Sequence, residues 1–314
     1  MFWFMLQAFV LYRLFKFCIT AIRPLLLYVV YPKLGWVVDL AEYSDYWTVV
    51  TGCTDGIGRA YTVELAKRGL KKLLLISRNA EKLHKFAQEL ESVYSAQVET
   101  LAFDFTEFDY GVVETFLSKY NKIGILVNNV GMAPTTVAKF CDHPSGLAEN
   151  IMRCNAFSAL KMCSFVLPKM LMHNRGIVVN IASIQGWKPV PNISTYSCSK
   201  AFVSYLSACL SSEYDSKTIR IQCLLPLVVA TKMSKYEASS ADGWLIVDPA
   251  VYAKQAVDVI GNHPMTSGCI VHDVQCAFLN LFPFWITKYL IAPIFAYQKR
   301  RMDSLLQGHV KKQG

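Results

Sequence analysis

The sequence predicts an α/β protein built on a doubly wound parallel sheet, with apolar, membrane-associated segments at both chain ends. Three observations carry this expectation. Short β-branched or aliphatic runs alternate with helical patterns, a glycine-rich turn directly follows the first run, and both ends are far more apolar than the middle. Strands alternating with helices require right-handed crossovers, which place helices on both faces of a parallel sheet.

Taken in order, residues 1–32 are apolar apart from Arg13, Lys16 and Arg23. At 100° per residue these three cations fall within about 80° of one another around a helix. One basic stripe on an apolar cylinder suits either a helix lying in the membrane interface or a tilted span whose long cations snorkel. Pro24 is expected to break the helix. Without a basic leading run or a small-residue cleavage site, a cleaved signal peptide is not expected. Strands are expected over 46–51, 71–77, 97–103, 123–128, 176–182 and 219–225, and helices over 56–69, 79–94, 145–173 and 195–216. Residues 274–298 hold one charge, Lys288, and precede Lys-Arg-Arg. With Pro283 and Pro293 they suggest a broken or monotopic hairpin, the alternative being an apolar lobe packed on the main domain. The chain is therefore divided into an anchor (1–44), a catalytic domain (45–272) and an apolar C-terminal segment with a basic tail (273–314).

The 314 residues carry a net charge of +9, with basic residues near both apolar ends, as contact with anionic lipid requires. Basic and aromatic residues do not interleave as in a nucleic-acid groove, so no nucleic-acid partner is expected. The ten cysteines form no C-x-x-C and do not pair with histidines at ligand spacing. A reducing compartment and no metal are expected.

The turn TGCTDGIG, residues 51–58, opens a helix with Gly52, Gly56 and Gly58. Glycines there let backbone approach a pyrophosphate at the positive end of the helix, which points to a dinucleotide. The second strand ends in Ser77 and Arg78 where an NAD enzyme would carry an acid for the ribose hydroxyl. An arginine pairs with a 2′-phosphate and favours NADPH; otherwise it is a solvated loop residue. Asp104 is either an acceptor for the adenine amino group or a helix N-terminal acid. Tyr196 and Lys200 stand four apart and share a helix face. A phenol loses its proton near pH ~10, and an adjacent ammonium favours the phenolate. The pair suits proton exchange with a carbonyl or alcohol oxygen, although alone it also reads as a half-buried Tyr beside a solvated Lys.

TGCTDGIG, NNVG (128–131), Asn155, Ser183, and Tyr196 with Lys200, in this order over 45–272, together resemble the short-chain dehydrogenase/reductase family. The resemblance implies a Rossmann-type fold and an oxidoreductase. Tyr196 would donate the proton to the substrate oxygen, which Ser183 and Tyr196 would hold together. Lys200 would bond the nicotinamide ribose and lower the Tyr196 pKa, and Asn155 would support a water linking Lys200 to solvent. NADP(H) would be held by Gly52, Thr54, Asp55, Gly56, Ile57, Gly58, Ser77, Arg78, Asp104, Asn128, Val229 and Thr231 together with Tyr196 and Lys200, and Asn128 would also brace the central strands. Two departures from the family pattern are Val130 in NNVG and Leu227 after Pro226 in LLPLVVATKM.

With the apolar ends, these motifs look most like the membrane-bound 17-beta-hydroxysteroid dehydrogenase and very-long-chain 3-oxoacyl-CoA reductase branch, including nematode-type steroid dehydrogenases. The branch implies a hydrophobic ketone: a 3-oxoacyl-CoA of fatty-acid elongation or, alternatively, a 17-ketosteroid. A non-catalytic membrane lipid-binding or scaffold protein with the same fold is the reading of another class. By resemblance, 231–253 would form a substrate lid in which Met233, Tyr236, Trp244 and Leu245 line the pocket, and Lys232 and Lys235 could meet CoA phosphates or be merely solvated. Lys311 and Lys312 match a dilysine signal, so an endoplasmic-reticulum membrane location with catalytic domain and C-terminus facing the cytosol is expected. Lipid and a homodimer formed through the Tyr196 helix complete the expected partners.

Overall fold

The computed structural model describes residues 1–187, 190–282, 286, 289 and 300. The expectations resting on Pro283, Lys288, Pro293 and the Lys311–Lys312 tail lie outside the described residues. All six expected strands form, as β1 (Trp47–Thr51), β2 (Lys72–Ser77), β3 (Gln97–Ala102), β4 (Ile123–Asn128), β5 (Gly176–Ile181) and β6 (Ile219–Leu224). A seventh, β7 (Met265–Thr266), is too short to show periodicity. It is secured where the Cys223 N–H donates to the Pro264 carbonyl and the Leu225 N–H to the Thr266 carbonyl, each at 2.8 Å.

The strands pair in parallel in the order β3-β2-β1-β4-β5-β6-β7. Helices cover both faces, so β2 is a continuous apolar run. Its Leu73 and Leu75 enter one core with Tyr61, Leu65 and Tyr252, while Leu74 and Ile76 enter the other with Met162 and Val166. The chain winds outward from β1 to β3 and returns to the far side of β1 as β4. That reversal opens a crevice beyond the carboxyl ends of β1 and β4, where doubly wound sheets place ligands.

Helix α1 (Phe2–Leu25) passes through Pro24, widens into a π-helical turn at Leu26–Val30 and closes in α2 (Tyr31–Lys33). Pro24 therefore does not end the path, which instead deviates where the regular ladder is interrupted. After β1 and β2 come α3 (Gly56–Lys67) and α4 (Ala80–Tyr94), with α5 (Gly111–Ser118) following β3. The expected helix at 145–173 is α6 (Leu147–Met152), a π-helical turn at Arg153–Phe157, and α7 (Ser158–Met172). Tyr196 and Lys200 lie on α8 (Ser194–Glu213). The segment expected to be lid ends earlier than 253. Asp248 caps α9 (Pro249–Asp258), whose Tyr252 and Ala253 are core residues packed toward α3.

The last described helix, α10 (Ile270–Leu279), runs alongside α1. Arg13 donates to the carbonyls of Asn280, at 2.9 Å, and Leu281, while Arg23 meets His263 Nδ1 at 3.1 Å and the Met265 carbonyl. Tyr28 donates to Thr266 Oγ1 at 3.3 Å, and Leu27 is buried. The expected snorkelling of Arg13 and Arg23 into lipid is thus corrected: both cations turn inward to the protein, Arg13 to carbonyls at the end of α10, which attract a cation, and Arg23 to the Met265 carbonyl of β7 and to His263. Outward, α1 exposes Phe9, Phe15, Ile19 and Ile22. The 2–33 helical path is long and apolar enough to cross a membrane.

Candidate active site

At the carboxyl ends of β1 and β4 lies a cleft of about 630 Å³. Of the residues expected at the site, all but Gly58, Asn128 and Asn155 line it. Gly52 and Gly56 take φ of +64° and +53°, the left-handed region that glycine enters without strain. A Cβ at Gly52 would stand 2.8 Å from Val130 Cα, and one at Gly58 only 2.2 Å from Asn129 Nδ2 and 2.4 Å from the Gly52 carbonyl oxygen. Gly58 thus serves the cradle from behind, letting α3 pack against Asn129. Asn129 Nδ2 donates to the carbonyls of Thr51, at 3.1 Å, and Gly52, at 2.9 Å. The Asp55 carboxylate caps α3 by accepting from the Gly56 N–H at 2.9 Å. This glycine-lined turn at the positive end of α3 fits the pyrophosphate of a dinucleotide.

Further along the cleft, the Thr54 and Ser77 hydroxyls are 3.0 Å apart. The Arg78 side chain is 78% exposed, 3.7 Å from Asp104 Oδ2. The other oxygen of Asp104 accepts from the Thr106 N–H and hydroxyl at 3.0 and 2.9 Å. Asp104 therefore closes its own loop rather than starting a helix, and α5 begins seven residues later at Gly111.

Opposite the cradle, Ser183 follows β5 and Tyr196 and Lys200 share a face of α8. Burial raises the Tyr196 phenol, against the opposing pull of its hydrogen bond with Ser183. Burial also drives the Lys200 ammonium down to about 8. Lys200 Nζ donates to the Ile181 carbonyl at 2.8 Å and stands 5.9 Å from the centre of the Tyr196 ring. The expected lowering of the phenol by Lys200 is therefore not what this geometry gives: burial dominates at both groups. What results is a protonated phenol beside a hydroxyl: a proton donor in the lining of the cleft.

Asn155 sits in the π-helical turn, a feature that often marks functional sites. Its Oδ1 accepts from the Met132 N–H at 2.7 Å; its Nδ2 donates to the Met132 carbonyl and to Ser199 Oγ, each at 2.9 Å. The carboxamide is therefore a clamp between the loop after β4 and α8. Asn128 also faces away from the cleft: its Nδ2 donates to Asn180 Oδ1 at 2.8 Å, and Asn180 Nδ2 donates to Ser207 Oγ at 2.9 Å. It braces β4, β5 and α8; the asparagine at the cleft is Asn129.

Of the expected lid residues, Met233 and Tyr236 line the cleft. Trp244 and Leu245 instead face outward, 55% and 60% exposed. Lys232 meets Asp55 at 2.6 Å, and Lys235 donates to the Thr135 carbonyl at 3.0 Å. The lid is therefore pinned to both walls, and neither lysine is merely solvated. Thr231 packs where a Gly56 Cβ would come within 3.0 Å of its Cγ2, and Ser234 Oγ accepts its N–H at 3.0 Å. Leu227, one of the two departures, lines the cleft and donates its N–H to His272 Nδ1 at 3.4 Å. Sequence reading gave no role to Ser199, Ser234 or His272. Asn129, the neighbour of Asn128 in NNVG, likewise had none.

With this geometry in place, the comparisons identify the class. A family model for short chain dehydrogenase matches residues 46–242. The chain belongs to the short-chain dehydrogenase family and is an oxidoreductase of the very-long-chain 3-oxoacyl-CoA reductase branch that its motifs resemble. It is 38% identical over 256 residues to the very-long-chain 3-oxoacyl-CoA reductase of Bos taurus, covering 81% of this chain and 80% of that one. A Caenorhabditis elegans protein of the same description is 37% identical over 261 residues, covering 81% of each. Among solved structures, the short-chain dehydrogenase from Sphingobium yanoikuyae in complex with NADPH superposes with a TM-score of 0.61 at 28% identity, covering 68% of this chain and 83% of that one.

Proposed function

We propose that this protein is an NADPH-dependent reductase that converts a long-chain 3-oxoacyl-CoA to the 3-hydroxyacyl-CoA in fatty-acid elongation. The observation that supports the substrate is its identity of about two fifths, over four fifths of the chain, to relatives named for that reaction. The buried Tyr196–Ser183–Lys200 group supports the chemistry. Bound NADPH supplies the hydride. Ser183 and Tyr196 hold the ketone oxygen, Tyr196 gives it a proton, and Lys200 receives the ribose and replenishes that proton. Asn155 positions the loop after β4, and Asn128 braces the strands beneath it. Gly52, Thr54, Asp55, Gly56, Ile57 and Gly58 form the pyrophosphate cradle. Ser77 and Arg78 meet the 2′-phosphate, Asp104 the adenine, and Val229 and Thr231 the nicotinamide carboxamide.

In this reading the anchor (1–44) holds the catalytic domain (45–272) and the C-terminal segment (273–314) at the endoplasmic-reticulum membrane, facing the cytosol. Exposed Phe202 and Tyr205 on α8 support a homodimer through that helix. NADPH consumption by membranes carrying the protein tests the function, with a long-chain 3-oxoacyl-CoA and a 17-ketosteroid offered separately and Tyr196→Phe as control. Tyr196-dependent turnover of the acyl-CoA is expected. Steroid turnover alone would transfer the enzyme to steroid metabolism, and no Tyr196-dependent turnover of either would overturn the reading.

A further inference from the structure

Trp244 and Leu245 are two large, exposed apolar residues of the lid that do not line the catalytic cleft. They sit on a built turn. Asp242 Oδ1 accepts the N–H groups of Trp244, Leu245 and Ile246 at 2.8, 2.7 and 2.9 Å. The Asp242 and Gly243 N–H groups both return to the Ile246 carbonyl, with Gly243 at a φ of +74°. Five residues thus form a closed knob holding a tryptophan and a leucine outward. The Gln275 amide of α10 donates to the Trp244 carbonyl, fixing the knob to that helix. Five residues along α10, or about 7.5 Å of rise, the Asn280 carbonyl receives Arg13 of α1. Phe278, three residues beyond Gln275 and on the same helix face, is also exposed. The knob is therefore joined through α10, which carries the exposed Phe278, to the apolar helix α1.

We propose that the Trp244–Leu245 turn is a second membrane contact, inserting into the bilayer interface beside α1 so that the substrate lid rests on the lipid. The inference rests on reading α1 as a membrane helix. Its occupant is phospholipid: tryptophan favours the headgroup boundary, and the knob is continuous, through α10, with the apolar helix. The consequence is mechanical. Lid residues Met233 and Tyr236 line the cleft, so a ketone arriving from the bilayer meets the lid first.

The test uses the full chain in phosphatidylcholine vesicles with and without dibrominated phosphatidylcholine. The Trp244 emission is taken as the difference between wild type and Trp244→Phe, and that of Trp3 as the difference between wild type and Trp3→Phe. Loss of both emissions to the brominated lipid is expected. Loss from Trp3 with none from Trp244 overturns the inference and leaves the membrane helix intact, whether water or another protein then covers the knob. Loss from neither overturns the membrane reading itself, and the inference with it. As a functional counterpart, Trp244→Ser combined with Leu245→Ser should raise the KM severalfold for a long-chain 3-oxoacyl-CoA presented in vesicles and spare a soluble short-chain one. Equal effects on both, or none, also overturn it, and the Trp244→Phe measurement stands should the double variant not fold.

Discussion

Replacing Lys200 with methionine isolates the energetic cost of burying a cation at the site. The ammonium falls from its ordinary 10.5 to about 8 in the folded protein because burial removes its water. Between those values the unfolded chain holds a proton that the folded chain has released, so folding stability rises with pH across about 8 to 10.5. Below pH 8 both states are protonated and the full penalty applies. At 1.36 kcal/mol per pKa unit, the penalty is about 3 kcal/mol. Lys200→Met removes it but leaves the Ile181 carbonyl without its donor, which costs about 1–3 kcal/mol. At pH 7 the two proteins should therefore differ little. From pH 7 to 10.5 the wild type should gain about 3 kcal/mol on the variant, or about 6–12 °C in Tm for a domain of this size. Thermal melts of both cofactor-free proteins in detergent measure this difference, and groups common to both cancel except the thiols of Cys154 and Cys223, which couple to Lys200. A difference that stays constant across the range would refute the burial cost and with it the lowered pKa.

The other predictions address the cradle, the cofactor phosphate and the buried histidine of α10. Gly58→Ala drives a Cβ to 2.2 Å from the Asn129 amide, so NADPH binding followed by fluorescence should be lost; unchanged affinity would refute the packing argument. Arg78→Ala should weaken NADPH by about tenfold or more while sparing NADH, the scale of a charge-assisted contact. Equal losses in a titration of both cofactors would remove the 2′-phosphate assignment. Burial holds His272 at about 4, below its ordinary 6.5, so the unfolded chain takes up the proton first and stability should fall as pH drops from 6.5 toward 4. The full penalty is about 3 kcal/mol. His272→Gln should flatten that slope in denaturant titrations, and an unchanged slope would assign the acid loss to other groups.

The sequence alone determined the parts of this protein that depend on near neighbours. Strand and helix alternation, the left-handed glycines of TGCTDGIG and the four-residue step from Tyr196 to Lys200 are set by local sterics and helix period, and all appear where they were expected. Tertiary structure decided the rest, because it depends on which distant groups meet. Asn128 looks identical to Asn129 in sequence, yet only the pleat and the partner Asn180 turn one inward and leave the other at the cleft. Asn155 acquires its clamp because a π-helical turn brings it to Met132, 23 residues back. Trp244 and Leu245 read as pocket lining until Asp242 gathers three N–H groups and turns them outward. Arg13 and Arg23 read as lipid-seeking cations until the fold brings carbonyls at Asn280 and Met265 within reach. A charged donor then pairs with backbone acceptors more than two hundred residues away rather than with solvent or lipid.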